Sequence, residues 1–482
     1  MAQSYYPTNL GTKTEDSHYQ AFTGVTLHPQ PGKTVKNATL LIQKGTVVAA
    51  GTQVKIPKNT VIRKLTGQHI YPSFIDLYSS FGVAKAQSKT GQGRSTQYKA
   101  SQEGGYWNDH ILGNYEAVTD YSYDKETAKT YREAGFGIVN THREDGVHRG
   151  TGLLVALTDD RTENDRILDA ASAAFFSFSK SKQSNQSYPS SVMGSMALLR
   201  QLYHDADWYA AGNSPTKDLD LEAVLNQKAL PKIFEASDKL NVLRGAKVSR
   251  DMGLNWILKG SGQEYEQLQE LKKYGNALVL PLNFPKPYDV NDPELLDKIT
   301  LSQLRDWNLA PSNPARVAAT KIPFAFTMDG LDDSSTFLEN LRRSVANGLS
   351  ETQAIAALTT VPAKLIRQSN RLGVLKPKAW ANFIITSGPL FDLDTKILDH
   401  YVKGNRHKIN DINQRDIDGK YSLQLGANSL QLKLENSSQE DEIELTVTEG
   451  DVEWESSLKY ENGKINLSLS SPEGLSAILE AN

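Results

Sequence analysis

The sequence contains no cysteine, which excludes disulfide bonds and thiolate metal ligands. It also lacks an excess of charge of either sign, since 53 basic and 56 acidic residues leave a net charge of −3. That balance provides no excess of positive charge with which to bind nucleic acid or an anionic membrane surface. Hydrophobic residues, 39% of the chain, occur in short runs, none near the roughly 20 residues that a membrane span needs. The sequence therefore predicts a soluble globular protein with no nucleic-acid partner and no membrane span.

Length and the amino terminus add two expectations. A chain of 482 residues exceeds the size at which one hydrophobic core usually keeps growing, so two or three structural units are expected. No apolar segment follows Met1, so the sequence as written carries no signal peptide, although Ala2-Gln3 equally fits the remainder of a removed one.

Short apolar runs alternate with helix-like segments between residues 71 and 377. The runs lack strict polar alternation, which is typical of strands covered on both faces in a parallel sheet. The predicted strands are residues 74–78, 136–140, 153–157, 174–178, 233–236, 256–258, 277–280 and 324–327. Repeated strand and helix units over roughly 300 residues favour an α/β fold of the (β/α)₈ barrel type over a sandwich.

Two local signals lie within this region. Ser350-Glu-Thr-Gln353 has the pattern of a capping box, so a helix is expected to begin there. Residues 84–105 are polar and follow the first predicted barrel strand, so they form either a lid over the active face or a disordered excursion.

The segments on either side are predicted to be β-rich. Residues 15–70 contain short runs such as 39–42 and 46–50, punctuated by glycine and proline. Residues 409–482 alternate apolar and polar side chains in several runs, as half-exposed antiparallel strands do. We expect this tail to form a separate small antiparallel β-module.

The most informative segment is Pro72-Ser-Phe-Ile-Asp-Leu-Tyr-Ser-Ser80. It resembles the motif Pro-Gly-Phe-Ile-Asp-x-His-x-His of the amidohydrolase superfamily, metal-dependent hydrolases of the imidazolonepropionase-like type. The two histidine positions of that motif fall on Tyr78 and Ser80. A phenol and a hydroxyl do not replace paired imidazoles as ligands for a divalent metal such as zinc.

Two further segments extend the resemblance. Residues 347–364 are similar to the family's Gly-Leu-Ser-x-x-x-Ala-Leu-x-x-x-Thr-x-x-Pro-Ala, and residues 371–385 are similar to the segment that follows it. The resemblance covers about residues 15–407. It implies a (β/α)₈ barrel over 71–377 and a composite β-sandwich built from 15–70 and 378–408, with the module at 409–482 outside it.

Three shorter segments narrow the resemblance. Residues 104–108, 149–152 and 386–391 resemble the degenerate amino-terminal half of long tandem amidohydrolase-related proteins of bacterial envelopes. That resemblance implies a second amidohydrolase domain or subunit as a partner and a periplasmic location, while a cytoplasmic location stays open.

The resemblance also implies where metal ligands would lie. Beyond Tyr78 and Ser80, the strand-five position falls on Glu235 and the strand-six position near Lys259. Asp329 alone matches the residue that the family carries, an aspartate that acts as general base toward metal-bound water. A zinc site normally needs three or four protein ligands, so no metal cofactor is expected.

Other residues could form a metal site in place of the family's ligands. His142 and His148 lie near carboxylates within seven residues and form a substitute metal site with Asp329 and Glu235, unless they belong to an ordinary polar loop. Lys259 matches the carbamylated lysine of some relatives, although a salt-bridged or solvated lysine is the commoner case.

Three functions are therefore compared. The leading hypothesis is a pseudoenzyme, whose pocket of Tyr78, Ser80, Glu235 and Lys259 with a remnant Asp329 serves a scaffold or binding role beside an active companion. The second is an active hydrolase of C–N bonds in cyclic amides or peptide-like substrates, using zinc or another divalent metal. The third is a module that binds a glycan or peptide across the barrel mouth through Tyr106 and Trp107. A small-molecule or peptide ligand is compatible with the first and third, and loop conformation decides its identity.

Overall fold

A computed structural model describes residues 18–88, 97–159, 161–288, 298–331, 333–411, 419–426, 428–436, 443–450, 452–461, 464–472 and 476–481. The chain divides into two compact units, a long one over residues 1–409 and a short one over residues 410–482. Part of the predicted polar insertion, residues 89–96, lies outside the described residues.

The strands of the long unit are short, and most are fully buried. In chain order they are β1 (Gln20–Gln30), β2 (Lys33–Gln43), β3 (Thr46–Gly51), β4 (Val61–Lys64), β5 (His69–Pro72), β6 (Phe74–Ser79), β7 (Phe136–Thr141), β8 (His148–Ala156), β9 (Ile167–Ser177), β10 (Lys232–Glu235), β11 (Trp256–Lys259), β12 (Leu278–Pro281), β13 (Phe324–Thr327), β14 (Phe383–Thr386), β15 (Ile397–Val402) and β16 (Asn405–Lys408).

Helices follow most of the central strands. They are α1 (Lys125–Glu133), α2 (Glu163–Arg166), α3 (Val192–Ala210), α4 (Leu219–Asn226), α5 (Lys239–Asp251), α6 (Leu268–Tyr274), α7 (Leu301–Leu309), α8 (Asn313–Ala319), α9 (Ser334–Ala346), α10 (Glu351–Leu358) and α11 (Thr360–Leu365). The predicted helix start at Ser350 is confirmed, since its hydroxyl oxygen accepts a hydrogen bond from Gln353 N at the beginning of α10. Within the described ranges, no helix is long and apolar enough to cross a membrane.

Strands β6 to β13 form one sheet in chain order, which we call the central sheet. All neighbours are parallel except β8, which is antiparallel to both β7 and β9. The prediction that residues 153–157 form a parallel strand is therefore wrong. Residues 142–147 between β7 and β8 are too few for a parallel crossover, which needs about a dozen residues.

Both faces of the central sheet are buried. One face packs against the helices through large side chains such as Phe136, Phe234 and Phe326. The opposite face gathers residues from every strand of the sheet into one cluster, with Ile75 from β6 and Ala325 from β13 at the two ends. Such a cluster requires the sheet to curve around it, and burial on both faces explains why the strands lack polar alternation.

The two end strands of the central sheet lie side by side. Thr327 Oγ1 donates a hydrogen bond to Tyr78 O (2.9 Å). Asp76 is fully buried and accepts hydrogen bonds from Tyr78 N (2.9 Å) and from Met328 N (2.9 Å). The carboxylate of Asp76 thus ties β6 to the residue that follows β13.

A second sheet combines the two ends of the long unit. Its strand order is β16-β15-β14-β5-β1-β2-β3, with β4 paired to β1. The joint lies between β5 and β14, where Pro72 pairs with Phe383. A buried hydrogen bond of 2.7 Å between Ser73 Oγ and His400 Nε2 connects this sheet to the start of β6.

The short unit is an antiparallel sheet in chain order. Its strands are β17 (Gly419–Leu425), β18 (Asn428–Asn436), β19 (Ile443–Glu449), β20 (Val452–Glu461), β21 (Lys464–Ser470) and β22 (Ser476–Ala481). Alternate side chains, including Leu432, Val447 and Trp454, form its apolar cluster. The polar and apolar alternation of the sequence reflects this one-sided burial.

Candidate functional site

Polar side chains from five segments of the central sheet converge at the carboxyl end of its parallel strands. Tyr78 lies near the end of β6, Glu235 ends β10 and Lys259 ends β11. Asp329 follows β13. Arg149 lies at the start of β8 and reaches the same end, because β8 runs in the opposite direction to its neighbours.

Arg149 is the centre of the cluster. Its side chain is 3% exposed, and its Nη1 donates a hydrogen bond to Tyr78 Oη (3.0 Å) and lies 3.3 Å from His142 Nε2. Its Nη2 forms an ion pair of 2.5 Å with Glu235 Oε2. Burial disfavours the guanidinium charge, but Tyr78 and Glu235 outweigh that effect and raise the pKa of Arg149 further.

The charge state of Glu235 follows from the same contacts. Burial opposes ionisation, but Arg149 and then Lys259 more than compensate and hold the pKa of Glu235 below its usual value. Glu235 is therefore a carboxylate at neutral pH, and its side chain remains 26% exposed at the mouth of the site.

A second ion pair lies beside the first. Lys259 Nζ is 2.5 Å from Asp329 Oδ2, with the two side chains 12% and 28% exposed. The same ammonium lies 5.2 Å from the centroid of the Tyr78 ring, within cation–π range. The predicted remnant base Asp329 is thus neutralised by the residue at the predicted strand-six ligand position.

His142 is neutral in this environment. Its Nδ1 lies 3.0 Å from Ser79 O and its Nε2 faces Arg149, which assigns the proton to Nδ1. Its ring stacks on Phe175 at 3.8 Å. Burial and then Arg149 hold the pKa of His142 well below its usual value.

His148 lies apart from this cluster, although the sequence pairs it with His142 as a candidate metal ligand. Its ring stacks on Phe176 at 4.4 Å and its Nε2 lies 3.1 Å from Gln227 Oε1. Phe175 and Phe176 are successive residues of β9 and point to opposite faces, so the two histidines lie on opposite faces of the central sheet. The structure does not bring these two side chains together.

Ser80 and Tyr78, the two positions of the family's paired histidines, differ in their surroundings. Tyr78 is buried, and burial holds its pKa well above its usual value despite the neighbouring Arg149. Ser80 follows β6, where its carbonyl oxygen accepts a hydrogen bond from Val83 N (3.2 Å).

The residues of the cluster do not fit a bound divalent metal. Among the residues that the structure describes, no group of three or more histidine and carboxylate side chains is arranged to hold a metal ion. The carboxylates of Glu235 and Asp329 each contact a protein cation instead, and the lone pair of His142 faces a guanidinium. This donor set is paired internally rather than directed at a common point.

Two residues of the site were not identified from the sequence. They are Arg149, which lies in the motif 149–152, and Asp76, which matches the family pattern. Burial raises the pKa of Asp76 to about 7 against the hydrogen bonds of Met328 and Tyr78. The available signal for Arg149 was its position between two predicted buried strands, nine residues after 136–140 and four before 153–157, because a guanidinium that is buried there requires a carboxylate partner.

Comparisons with known proteins identify the fold. No model of a protein family matches the sequence, and no curated protein matches it. The crystal structure of an amidohydrolase from Thermotoga maritima MSB8 is similar over 80% of this chain and 99% of its own, with 19% sequence identity and a TM-score of 0.62. Molinate hydrolase (13% identity, 82% of this chain and 95% of that one, TM-score 0.47) and phenylurea hydrolase B (13% identity, 81% of this chain and 97% of that one, TM-score 0.48) are more distantly similar. The amidohydrolase-type fold expected from the motifs is confirmed, and at 19% identity the likeness shows the fold alone.

Proposed function

We propose that this chain is a non-catalytic amidohydrolase-like protein, in which two protein cations occupy the charge positions of the metal centre. It serves as a scaffold or binding half for an active amidohydrolase domain or subunit. The observation that carries the proposal is the double ion pair, Arg149 with Glu235 and Lys259 with Asp329, at the carboxyl end of the central sheet.

The proposal includes a closed (β/α)₈ barrel with β8 reversed, flanked by the composite sheet. Support comes from the cluster that collects side chains from every strand between β6 and β13. The hydrogen bonds that join β6 to the end of β13 support closure as well.

Electrostatics favour the ion pairs over a metal at this place. Two unit charges about 4 Å apart interact by about 4 kcal/mol at an effective dielectric constant of about 20, so a divalent ion beside one of these cations would be opposed by about 8 kcal/mol. Arg149 cannot lose its proton to relieve that repulsion. Asp329 would also have to leave Lys259 before it could accept a proton from water.

The partner and the location rest on the resemblance of residues 104–108, 149–152 and 386–391 to degenerate halves of tandem envelope proteins. The proposed partner is a second amidohydrolase domain or subunit, and the proposed compartment is the periplasm. The partial exposure of Glu235 and Asp329 leaves room for a small-molecule or peptide ligand at the mouth.

Metal analysis tests the central statement. We expect the full chain, purified without chelators, to contain substoichiometric zinc, iron and manganese, and a chelator to leave its melting temperature unchanged. The variants Arg149→Met and Lys259→Met should bind added Zn²⁺ more tightly than the unaltered chain in calorimetric titration, because each removes a repelling cation. Lys239→Met is the matched control, since Lys239 forms an ion pair of the same length with Glu266 at the surface.

The alternative is an active hydrolase of C–N bonds with an atypical metal site that includes Asp329, Glu235 and His142. It predicts a stoichiometric metal in the unaltered chain, together with hydrolysis of cyclic amides or dipeptides that disappears in Asp329→Asn. That result would overturn the proposal.

A further inference from the structure

A groove of about 800 Å³ lies beside α3 and α4, and its lining contains neither Tyr78 nor any of the four ion-pair residues Arg149, Glu235, Lys259 and Asp329. We call it the aromatic groove. Its aromatic lining residues are Tyr98, Tyr106, Trp107 and Trp208. Tyr106 and Trp107, which the sequence assigned to the barrel mouth, therefore line a separate surface.

We propose that the aromatic groove binds a neutral oligosaccharide. The site is independent of the proposed function of the ion-pair cluster, since the two share no residue.

Large aromatic side chains are exposed in the groove. Tyr98 is 80% exposed and Trp208 is 52% exposed, whereas aromatic residues of this size normally bury most of their surface. Tyr98 and Trp107 have ring centroids 6.1 Å apart, and Trp107 stacks against Tyr188 at the same separation. Trp107 thus packs against Tyr98 and Tyr188, and the exposed ring surface available to a ligand is that of Tyr98 and Trp208. Exposed apolar patches of this kind commonly mark binding sites.

The floor of the groove is held rigidly. Tyr106 N donates a hydrogen bond to Asp220 Oδ2 (2.8 Å), and Tyr106 Oη donates one to Asp205 Oδ2 (2.5 Å). Leu219 N donates to Gly104 O (2.8 Å), which fastens the loop to the start of α4. A surface fixed before binding loses little conformational entropy when a ligand arrives.

The charge of the lining selects the class of ligand. Two cations, Lys99 and Lys217, and three anions, Glu103, Asp205 and Asp218, line the groove, so its formal charge is only slightly negative. A single-stranded nucleic acid would also stack on aromatic rings but needs a strongly cationic groove for its phosphates. A strongly cationic ligand would meet the two lysines. Near-neutral charge beside exposed rings fits a neutral ligand.

Sugar chemistry matches the remaining features. A pyranose ring has an apolar face of C–H bonds, which packs on an indole or phenol ring, and hydroxyl groups around its edge. The carboxylates of Asp205 and Asp218 and the hydroxyls of Ser214 and Thr216 line the same groove and provide hydrogen-bond partners for such hydroxyls.

The test uses the full chain and a panel of neutral hexasaccharides: β-1,4-glucan, α-1,4-glucan, β-1,4-mannan, β-1,4-xylan and the β-1,4-linked N-acetylglucosamine oligomer. We expect at least one to bind with a Kd below about 1 mM in calorimetric titration and to change tryptophan fluorescence. Binding should be unchanged when salt rises from about 50 to 500 mM, because the ligand carries no charge to be screened.

Variants locate the binding. Trp208→Ala and Tyr98→Ala change exposed side chains that folding does not require, and each should weaken binding about tenfold or more. Trp307→Ala is the matched control, because Trp307 is 37% exposed on α7, outside the groove, and that variant should bind as the unaltered chain does. The proposal is overturned if no saccharide of the panel binds with a Kd below about 1 mM. It is equally overturned if binding persists in Trp208→Ala and Tyr98→Ala, or if single-stranded DNA or an aromatic peptide binds the groove instead.

Discussion

Replacing Arg149 by methionine should destabilise the long unit by about 3 kcal/mol. The substitution keeps the length of the aliphatic stem but removes the donors to Tyr78 Oη, His142 Nε2 and Glu235 Oε2. Removing one partner of a buried ion pair typically costs about 3–5 kcal/mol of stability, because the remaining charge stays buried without a partner. Glu235 is 26% exposed and regains part of its hydration, which places the expected loss at the lower end.

Calorimetry measures this loss as a shift in melting temperature. Unfolding entropy of about 2.1 cal/mol/K per residue gives about 0.8 kcal/mol/K for the roughly 370 described residues of the long unit, so about 3 kcal/mol lowers its melting temperature by about 4 °C. The double variant Arg149→Met with Glu235→Met should recover at least half of that loss, since it removes the stranded carboxylate.

Two results would refute the reasoning. One is an Arg149→Met protein whose long unit melts within about 1 °C of the unaltered chain, which would mean that the guanidinium contributes nothing net. The other is a double variant no more stable than Arg149→Met. Arg149→Lys provides a milder perturbation, because it retains the charge but loses the fork that reaches Tyr78 and Glu235 together.

Two further predictions concern the framework. Burial raises the pKa of Asp76 to about 7, above its unfolded value of about 3.9, so the folded state binds the extra proton and stability falls by up to about 4 kcal/mol as pH rises from about 4 to 7. Calorimetry across this range should show that the stability of Asp76→Asn depends less on pH than that of the unaltered chain. An identical dependence of stability on pH in the two proteins would contradict the raised pKa of Asp76. Gly150→Ala should destabilise the long unit by more than about 2 kcal/mol, because φ is +74° and the added Cβ would lie 2.0 Å from Tyr115 O. The control Gly212→Ala has a similar φ of +78° and no atom within 4 Å, so its smaller loss isolates the clash in urea unfolding.

Much of the fold was predictable because the signals are local. Apolar runs without polar alternation indicated strands buried on both faces, and the structure places Phe234 and Ile233 on opposite buried faces of β10. Ser350 indicated a helix start through a contact that spans three residues. The reversal of β8 was missed because strand direction depends on the length and path of the connections rather than on the strand's own residues.

The position of the candidate residues in the fold was predictable from the sequence, but their side-chain partners were not. The family motif places Tyr78, Glu235, Lys259 and Asp329 at one end of the sheet, where the structure has them. The pairing of Lys259 with Asp329 joins residues 70 positions apart in the sequence, and that of Arg149 with Glu235 joins residues 86 apart. Side-chain partners at such separations are decided by tertiary geometry. The family's ligand positions alone therefore do not predict that Arg149 of β8 reaches Glu235.

The pairing of Pro72 with Phe383 has a consequence for how this protein is made. The two residues are about 310 positions apart, and at about 5–20 residues per second the ribosome needs about 15–60 seconds to synthesise the chain between them. Throughout that time β5 has an unpaired edge facing the direction where β14 will lie. During synthesis the unpaired edge of β5 must therefore be kept from pairing with other chains until β14 is made. A chain truncated before β14 would leave that edge without its neighbour altogether.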